Sequence, residues 1–179
     1  EMSQQWLKST GFPRVVATRK FQGNEREYHI SLEQVNATPQ KSWSFPLHIA
    51  LLDSHGKMLA EKVVLVNKSR QEVVFSDVSQ PAIISLNRRY SFYGKLFFEQ
   101  SREELFLQVQ KDSDIIARFM AWHKLVDAEK EKLLLNPDAT LDSVDNDILE
   151  LYFTLLNDEK LMARVGIQFL SVFESVENE

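Results

Sequence analysis

No cysteine occurs among the 179 residues, which excludes a disulfide framework, thiolate metal sites and any cysteine nucleophile. No apolar run approaches the roughly 20 residues that span a bilayer, and the opening EMSQQWLKST has no signal-peptide h-region. The expectation is a cytoplasmic chain with no membrane partner. Chemical motifs are missing as well. His29, His48, His55 and His123 are never four apart and none is followed by glutamate, so the zinc-protease spacing H-E-x-x-H is absent. There is no G-x-S-x-G elbow, no P-loop and no dinucleotide fingerprint. The acidic run Asp142, Asp145, Asp147 and Glu150 is no EF-hand: counted from Asp145, the sixth loop position is Glu150 where the sharp turn needs glycine. Capping, and the favourable placing of acids near a helix N-terminus, account for these carboxylates. The N-x-[ST] triplets at Asn36 and Asn67 read as chance matches. No catalytic, cofactor-binding or metal-ligating residue is predicted in this chain.

What is present is enough apolar surface for a core. The composition is 44% apolar and 11% aromatic, sufficient for one large domain or two small ones. Charge divides unevenly. Residues 1–100 hold 13 Lys+Arg against 9 Asp+Glu, a net of +4, whereas 101–179 hold 8 against 17, a net of −9. Nucleic acid is not expected as a partner, because phosphate binding needs Lys and Arg clustered on one face and Arg14, Arg19 and Lys20 are too sparse for that.

The hydrophobic period changes near residue 100. Before it, Tyr28, Ile30 and Leu32 alternate with His29, Ser31 and Glu33, the period of two expected when one sheet face is buried. Leu47, Ile49 and Leu51 repeat it, and Asp53 to Gly56 supplies turn residues, so Leu47 to Val66 reads as a hairpin. Further short strands are expected at Val15 to Phe21, Val73 to Phe75, Ala82 to Leu86 and Tyr90 to Phe98. Asn36 to Ser44, with Pro39, reads as the longest loop of this half. About seven short strands at this spacing predict an immunoglobulin-like antiparallel β-sandwich over 1–100.

After the change, Ser101 with Glu104 three residues later forms a capping box, which predicts a helix start. Ile115, Phe119, Trp122 and Val126 then make one apolar stripe on a helix running to about Leu134 and ended by Pro137. Ile148, Leu151, Tyr152 and Leu155 mark a third helix. A fourth is predicted over Glu159 to Phe173, with Leu161, Val165 and Leu170 among its apolar positions. The overall expectation is an α+β chain in two segregated parts, the sandwich over 1–100 followed by a solenoid-like helical array over 101–179.

A family resemblance runs across this change of period. Ser85, Leu86, Arg88, Tyr90 and Ser91 fit S-L-x-R-x-[FY]-S, and Asp112, Asp114, Arg118 and Ala121 hold their places in D-x-D-x-F-x-R-W-x-A. Upstream, Thr38 and Pro39, the run Pro46, Leu47, His48 and Ile49, and the turn Asp53, Gly56 and Lys57 follow in order. Trp6, Gly11 and Pro13 precede them. In these motifs the chain resembles the C-terminal half of aminopeptidase N, in the alanyl aminopeptidase branch. The resemblance implies a small sandwich domain plus the first helices of a C-terminal helical domain. It also implies a parent in which zinc, held by an upstream H-E-x-x-H domain, removes N-terminal amino acids from peptides. On that reading both ends of this chain are cuts, this part should be inactive alone, and zinc belongs to the missing catalytic domain. The expected partners are the catalytic and remaining helical domains of the same polypeptide, with peptide substrates met only through it. Two other classes stand beside this one: an independent immunoglobulin-like protein-interaction module, and an enzyme with an unrecognised site.

Overall fold

The structure is a computed structural model and describes residues 11–35 and 42–170. The expectations placed on Trp6, Asn36, Thr38, Pro39 and residues 171–173 lie outside the described residues. Seven strands form two sheets: β1 (Arg14–Gln22), β2 (Glu27–Gln34), β3 (Phe45–Leu52), β4 (Met58–Val66), β5 (Arg70–Phe75), β6 (Ile83–Leu86) and β7 (Lys95–Phe98). One sheet has the order β5-β2-β1-β7 and the other β4-β3-β6. The predicted alternation is realised in β2 but not in β3, where Leu47 to Leu52 are all buried; β1 alternates at its start. Val15 and Ala17, with Tyr28, Ile30 and Leu32, face a core shared with Phe45, Leu47, Ile49 and Leu51 of the other sheet.

Two strand-level expectations are corrected. The run Tyr90 to Phe98 is not one strand: Arg88–Tyr90 form a 3-10 turn and only Lys95–Phe98 pair. Asn87, Arg89 and Tyr90 have φ of 54°, 55° and 53°, and a left-handed backbone cannot continue a pleated strand. The sheets are also not wholly antiparallel. Strand β7 runs parallel to β1, Arg14 opposite Lys95 and Ala17 opposite Phe98, while the remaining pairs are antiparallel.

Four helices follow: α1 (Arg102–Lys111), α2 (Ile115–Leu134), α3 (Asn146–Leu156) and α4 (Glu159–Val165). The Ser101 capping box is present in full, Ser101 Oγ accepting from the Glu104 N–H and the Glu104 carboxylate accepting from the Ser101 N–H. Helix α2 ends where predicted, but its buried apolar positions are Ala117, Ala121, Trp122, Leu125 and Val126, so Ile115 and Phe119 lie at the margin of the stripe. The predicted fourth helix is shorter than expected. Gly166, at φ 66° and ψ −173°, takes a conformation open essentially to glycine, ends α4, and is followed by the 3-10 turn Ile167–Leu170.

The chain divides into two compact units, one reaching Arg118 and one beginning at Phe119. Helix α1 belongs to the first. There its Leu107 packs on Ala50, Leu52 and Ile83, the side of the β3 and β6 sheet turned away from the main core. That explains why β3 reads Ile49, Ala50, Leu51, Leu52 without a polar residue: both of its faces are covered. In the second unit, Trp122 packs beside Tyr152 with ring centroids 6.3 Å apart, and Phe119 meets Phe169 edge-on at 5.8 Å.

Candidate functional site

Four of the motif residues, Ser85, Arg88, Asp112 and Asp114, meet at a buried ionic joint between the sandwich and the end of α1. Arg88 is carried by the 3-10 turn that follows β6, and Asp112 is the residue that ends α1. The Arg88 Nη1 donates to Asp112 Oδ1 at 2.7 Å, and the two side chains are 6% and 0% exposed. Neighbours satisfy most of what remains. Arg88 Nη1 also donates to Ser85 Oγ at 3.0 Å, and Nη2 donates to Ser113 Oγ at 3.0 Å. Asp112 Oδ1 accepts from the Asp114 N–H at 2.9 Å, and Oδ2 accepts from Gln108 Nε2 at 3.1 Å. A buried charge pair is tolerable when its spare lone pairs and protons are used in this way.

Asp114 extends the joint. Its Oδ2 accepts from the Arg89 N–H at 3.1 Å and its Oδ1 from the Ala117 N–H at 2.9 Å, so one carboxylate holds the left-handed turn and the first turn of α2. Arg118 donates from Nε to the Val109 carbonyl at 2.7 Å, linking α2 back to α1. On the sandwich side Asn87 replaces missing backbone pairing. Its Oδ1 accepts from the Ser91 hydroxyl and the Phe92 N–H, both at 3.0 Å, and Ser91 Oγ accepts from the His48 N–H at 2.9 Å. Left-handed residues cost roughly 1–2 kcal/mol each, a cost this network of directional bonds offsets.

A second ion pair fastens the other end of α1. Arg19 of β1 grips Glu104 through both oxygens, Nη1 to Oε1 at 2.5 Å and Nη2 to Oε2 at 2.7 Å, with its guanidinium over the Phe98 ring. Burial alone would push the Glu104 carboxyl up, but the bonds from Arg19 and the Ser101 N–H hold it below the usual carboxylate range. The same Glu104 bond raises Arg19, while burial raises Tyr28 beside them. The third fastening is steric. Gly56, at φ 81°, sits in the β3–β4 turn so close to α1 that a Cβ there would lie 2.2 Å from the Lys111 carbonyl oxygen. Asp53 shapes that turn by accepting from the His55 and Lys57 N–H groups at 2.8 and 2.9 Å, which holds its carboxyl low.

The histidines do not assemble. His29 lies between Glu27 and Glu72, each 3.2 Å from a ring nitrogen, on the polar side of its sheet. His48 is buried against Glu61 at 2.5 Å, His55 is exposed in the turn, and His123 packs edge-on against Phe119 at 4.2 Å. Among the described residues no group of three or more His, Asp or Glu is placed to hold a metal ion. The acidic run has local tasks. Asp145 stands at the N-cap of α3 as expected, yet its carboxylate takes Lys132 Nζ at 2.6 Å instead of capping, while buried Glu129 accepts from the Asp145 N–H at 2.8 Å. An open groove of about 430 Å³ is lined by Ala17, Thr18, Arg19, Phe98 and Glu99 to Ser101, beside the Arg19 and Glu104 pair. No described helix is long and apolar enough to cross a membrane.

Residues 11–99 match the family described as a domain of unknown function, DUF3458, with an Ig-like fold. Among solved structures the chain is similar to an aminopeptidase A of Legionella pneumophila crystallised with aspartic acid. The TM-score is 0.79 at 23% identity, with 94% of this chain and 19% of that chain covered. This chain therefore spans about a fifth of the length of the solved protein it matches.

Proposed function

We propose that residues 11–99, which match the DUF3458 Ig-like family model, are a domain of the kind found in aminopeptidase N family members, and that the chain is a non-catalytic part of a zinc-dependent aminopeptidase. In this reading it scaffolds and helps enclose an active site carried by another domain of the same polypeptide, in the cytoplasm. The observation that carries the proposal is coextensive likeness: 94% of the chain superposes on part of one aminopeptidase. The ionic joint supports it. Arg88, Asp112, Asp114 and Arg118 are among the motif residues of the resemblance, and their bonds tie the end of α1 and the start of α2 to the sandwich or to each other, with Ser85 holding the Arg88 guanidinium. Side chains spent on holding a helix in one direction suit a support whose task is geometric. The reading makes a sharp demand on the gene. The reading frame before Glu1 should encode H-E-x-x-H and G-x-M-E-N, and the whole polypeptide should hydrolyse aminoacyl amides in a zinc-dependent way while residues 1–179 alone do not. Activity that purifies with the 179-residue chain, or an upstream frame lacking both motifs, would overturn it.

A further inference from the structure

The two sheets of the sandwich end along a shared margin. Strand β4 stands last in one sheet and β5 last in the other, and only residues 67–69 separate them in the chain. An end strand leaves one row of N–H and C=O groups without a partner strand, which invites pairing with another chain. Strand β4 carries the greater hazard. It is nine residues long and closes on Val63, Val64, Leu65 and Val66, all good strand formers, with Val63 and Leu65 65% and 52% exposed. An uncharged apolar run without proline on an open edge is what promotes strand addition.

Two side chains close that edge. Leu65 lies opposite Pro46, which has no N–H to give, and the Leu65 carbonyl accepts instead from Gln71 Nε2 of β5 at 3.0 Å. Gln71 Oε1 accepts in turn from the Asn67 N–H at 3.4 Å. One side-chain amide thus takes a backbone acceptor and a backbone donor at the end of β4, the two kinds of group that an added strand would use. Lys62 crosses the margin in the other direction. Its Nζ donates to the Val74 carbonyl of β5 and stands 4.9 Å from the centre of the Phe75 ring, which belongs to the main core. A strand laid along β4 would displace both side chains and cover the Lys62 ammonium, at the cost of its hydration. We propose that Lys62 and Gln71 guard a strand-pairing site, and that without them β4 pairs antiparallel with β4 of a second copy of this chain. A second copy is the occupant because the strand is complementary to itself: about a two-fold axis the apolar run 63–66 of one copy lies against that of the other, and the contact closes after two chains. None of this depends on the peptidase reading.

The test uses the whole polypeptide of the reading frame. Lys62→Met and Gln71→Met, combined, keep the length and apolar stem of each side chain and remove its donor. In sedimentation over a concentration series, the weight-average mass of the double variant should rise about twofold over that of the parent. Exchange of the Val63 amide, which points the same way as the Leu65 carbonyl two residues on, should slow about tenfold or more. Adding Val63→Pro takes that N–H from the open side alone and should return the mass to the parent's value. Unchanged mass and exchange in the folded double variant overturn the proposal. A rise in mass that survives Val63→Pro also overturns it, by assigning the association to another surface, as does a Val63 amide already as slow in the parent, which means that β4 is covered and not guarded. Each single variant should give a smaller shift in the same direction, and is read in place of the double variant should that one melt below the assay temperature.

Discussion

In the first unit α1 is fastened by charge and geometry: Arg88 on Asp112 at 2.7 Å, Arg19 on both oxygens of Glu104, and a glycine turn pressed on the Lys111 carbonyl. In the second unit the helices meet mainly through apolar and aromatic side chains such as Trp122, Leu125, Leu151, Leu155 and Phe169. Its buried carboxylate, Glu129, takes a lysine and the N–H that precedes α3. The contrast teaches that the two kinds of packing answer different needs. Apolar contacts are non-directional and tolerate small sliding, whereas a bonded guanidinium and carboxylate accept one angle and one register. The joint fixes a direction. The helical part fills a volume.

The largest expected effect breaks the contrast at its centre. Asp112→Ala leaves the Arg88 guanidinium buried and unpaired and should cost about 3–5 kcal/mol. Hydrogen exchange should show faster exchange in β3, β6 and α1, with α3 little changed. If the sandwich amides are unaffected, the joint is not part of the sandwich's cooperative unit. Gly56→Ala puts a side chain at a positive φ and against the Lys111 carbonyl, and should lose about 1–3 kcal/mol in denaturant unfolding; an unchanged midpoint would mean that α1 can move aside. Glu104→Gln should cost about 1–2 kcal/mol at neutral pH, since the pair is partly exposed. The sign with pH follows from the lowered carboxyl. A folded value below the unfolded one stabilises above the ordinary carboxylate range and is lost as pH falls through the folded value. The gap in melting temperature between the two proteins should therefore close below about pH 4. The smallest effect is in the second unit, where Leu149→Gln should stay within about 0.5 kcal/mol in this chain. A larger loss there would show that the α3 face is already covered and would erase the contrast.

Much of the fold was legible in the sequence, and the unread parts share a physical cause. The capping box at Ser101 is a local signal, two residues three apart that serve each other's backbone, and it placed the start of α1. The second task of Glu104 was invisible, because Arg19 lies 85 residues away and a single long-range partner leaves no period. The alternation of Tyr28, Ile30 and Leu32 identified a half-buried strand. It could not foresee Ala50 and Leu52, which are buried because a later helix covers them. The stretch after Leu86 looked like a strand since its aromatics are good strand formers. The structure spends it on a left-handed corner that Asn87 and Asp114 stabilise from outside the local pattern. As for the site, the sequence motif order pointed to Ser85, Arg88, Asp112 and Asp114 without saying that they meet. Their spacing, 24 residues from Arg88 to Asp112, reflects the path of a chain around a joint and no periodic element.

One consequence of the β1–β7 pairing concerns mechanical load. Because these strands run parallel, the chain enters beside Lys95 and leaves beyond the point where Ala17 faces Phe98. A pull applied before Arg14 and after Phe98 draws the two strands past each other along their length. The ladder is then loaded in shear, its bonds resisting together, whereas an antiparallel first and last strand would peel apart one bond at a time.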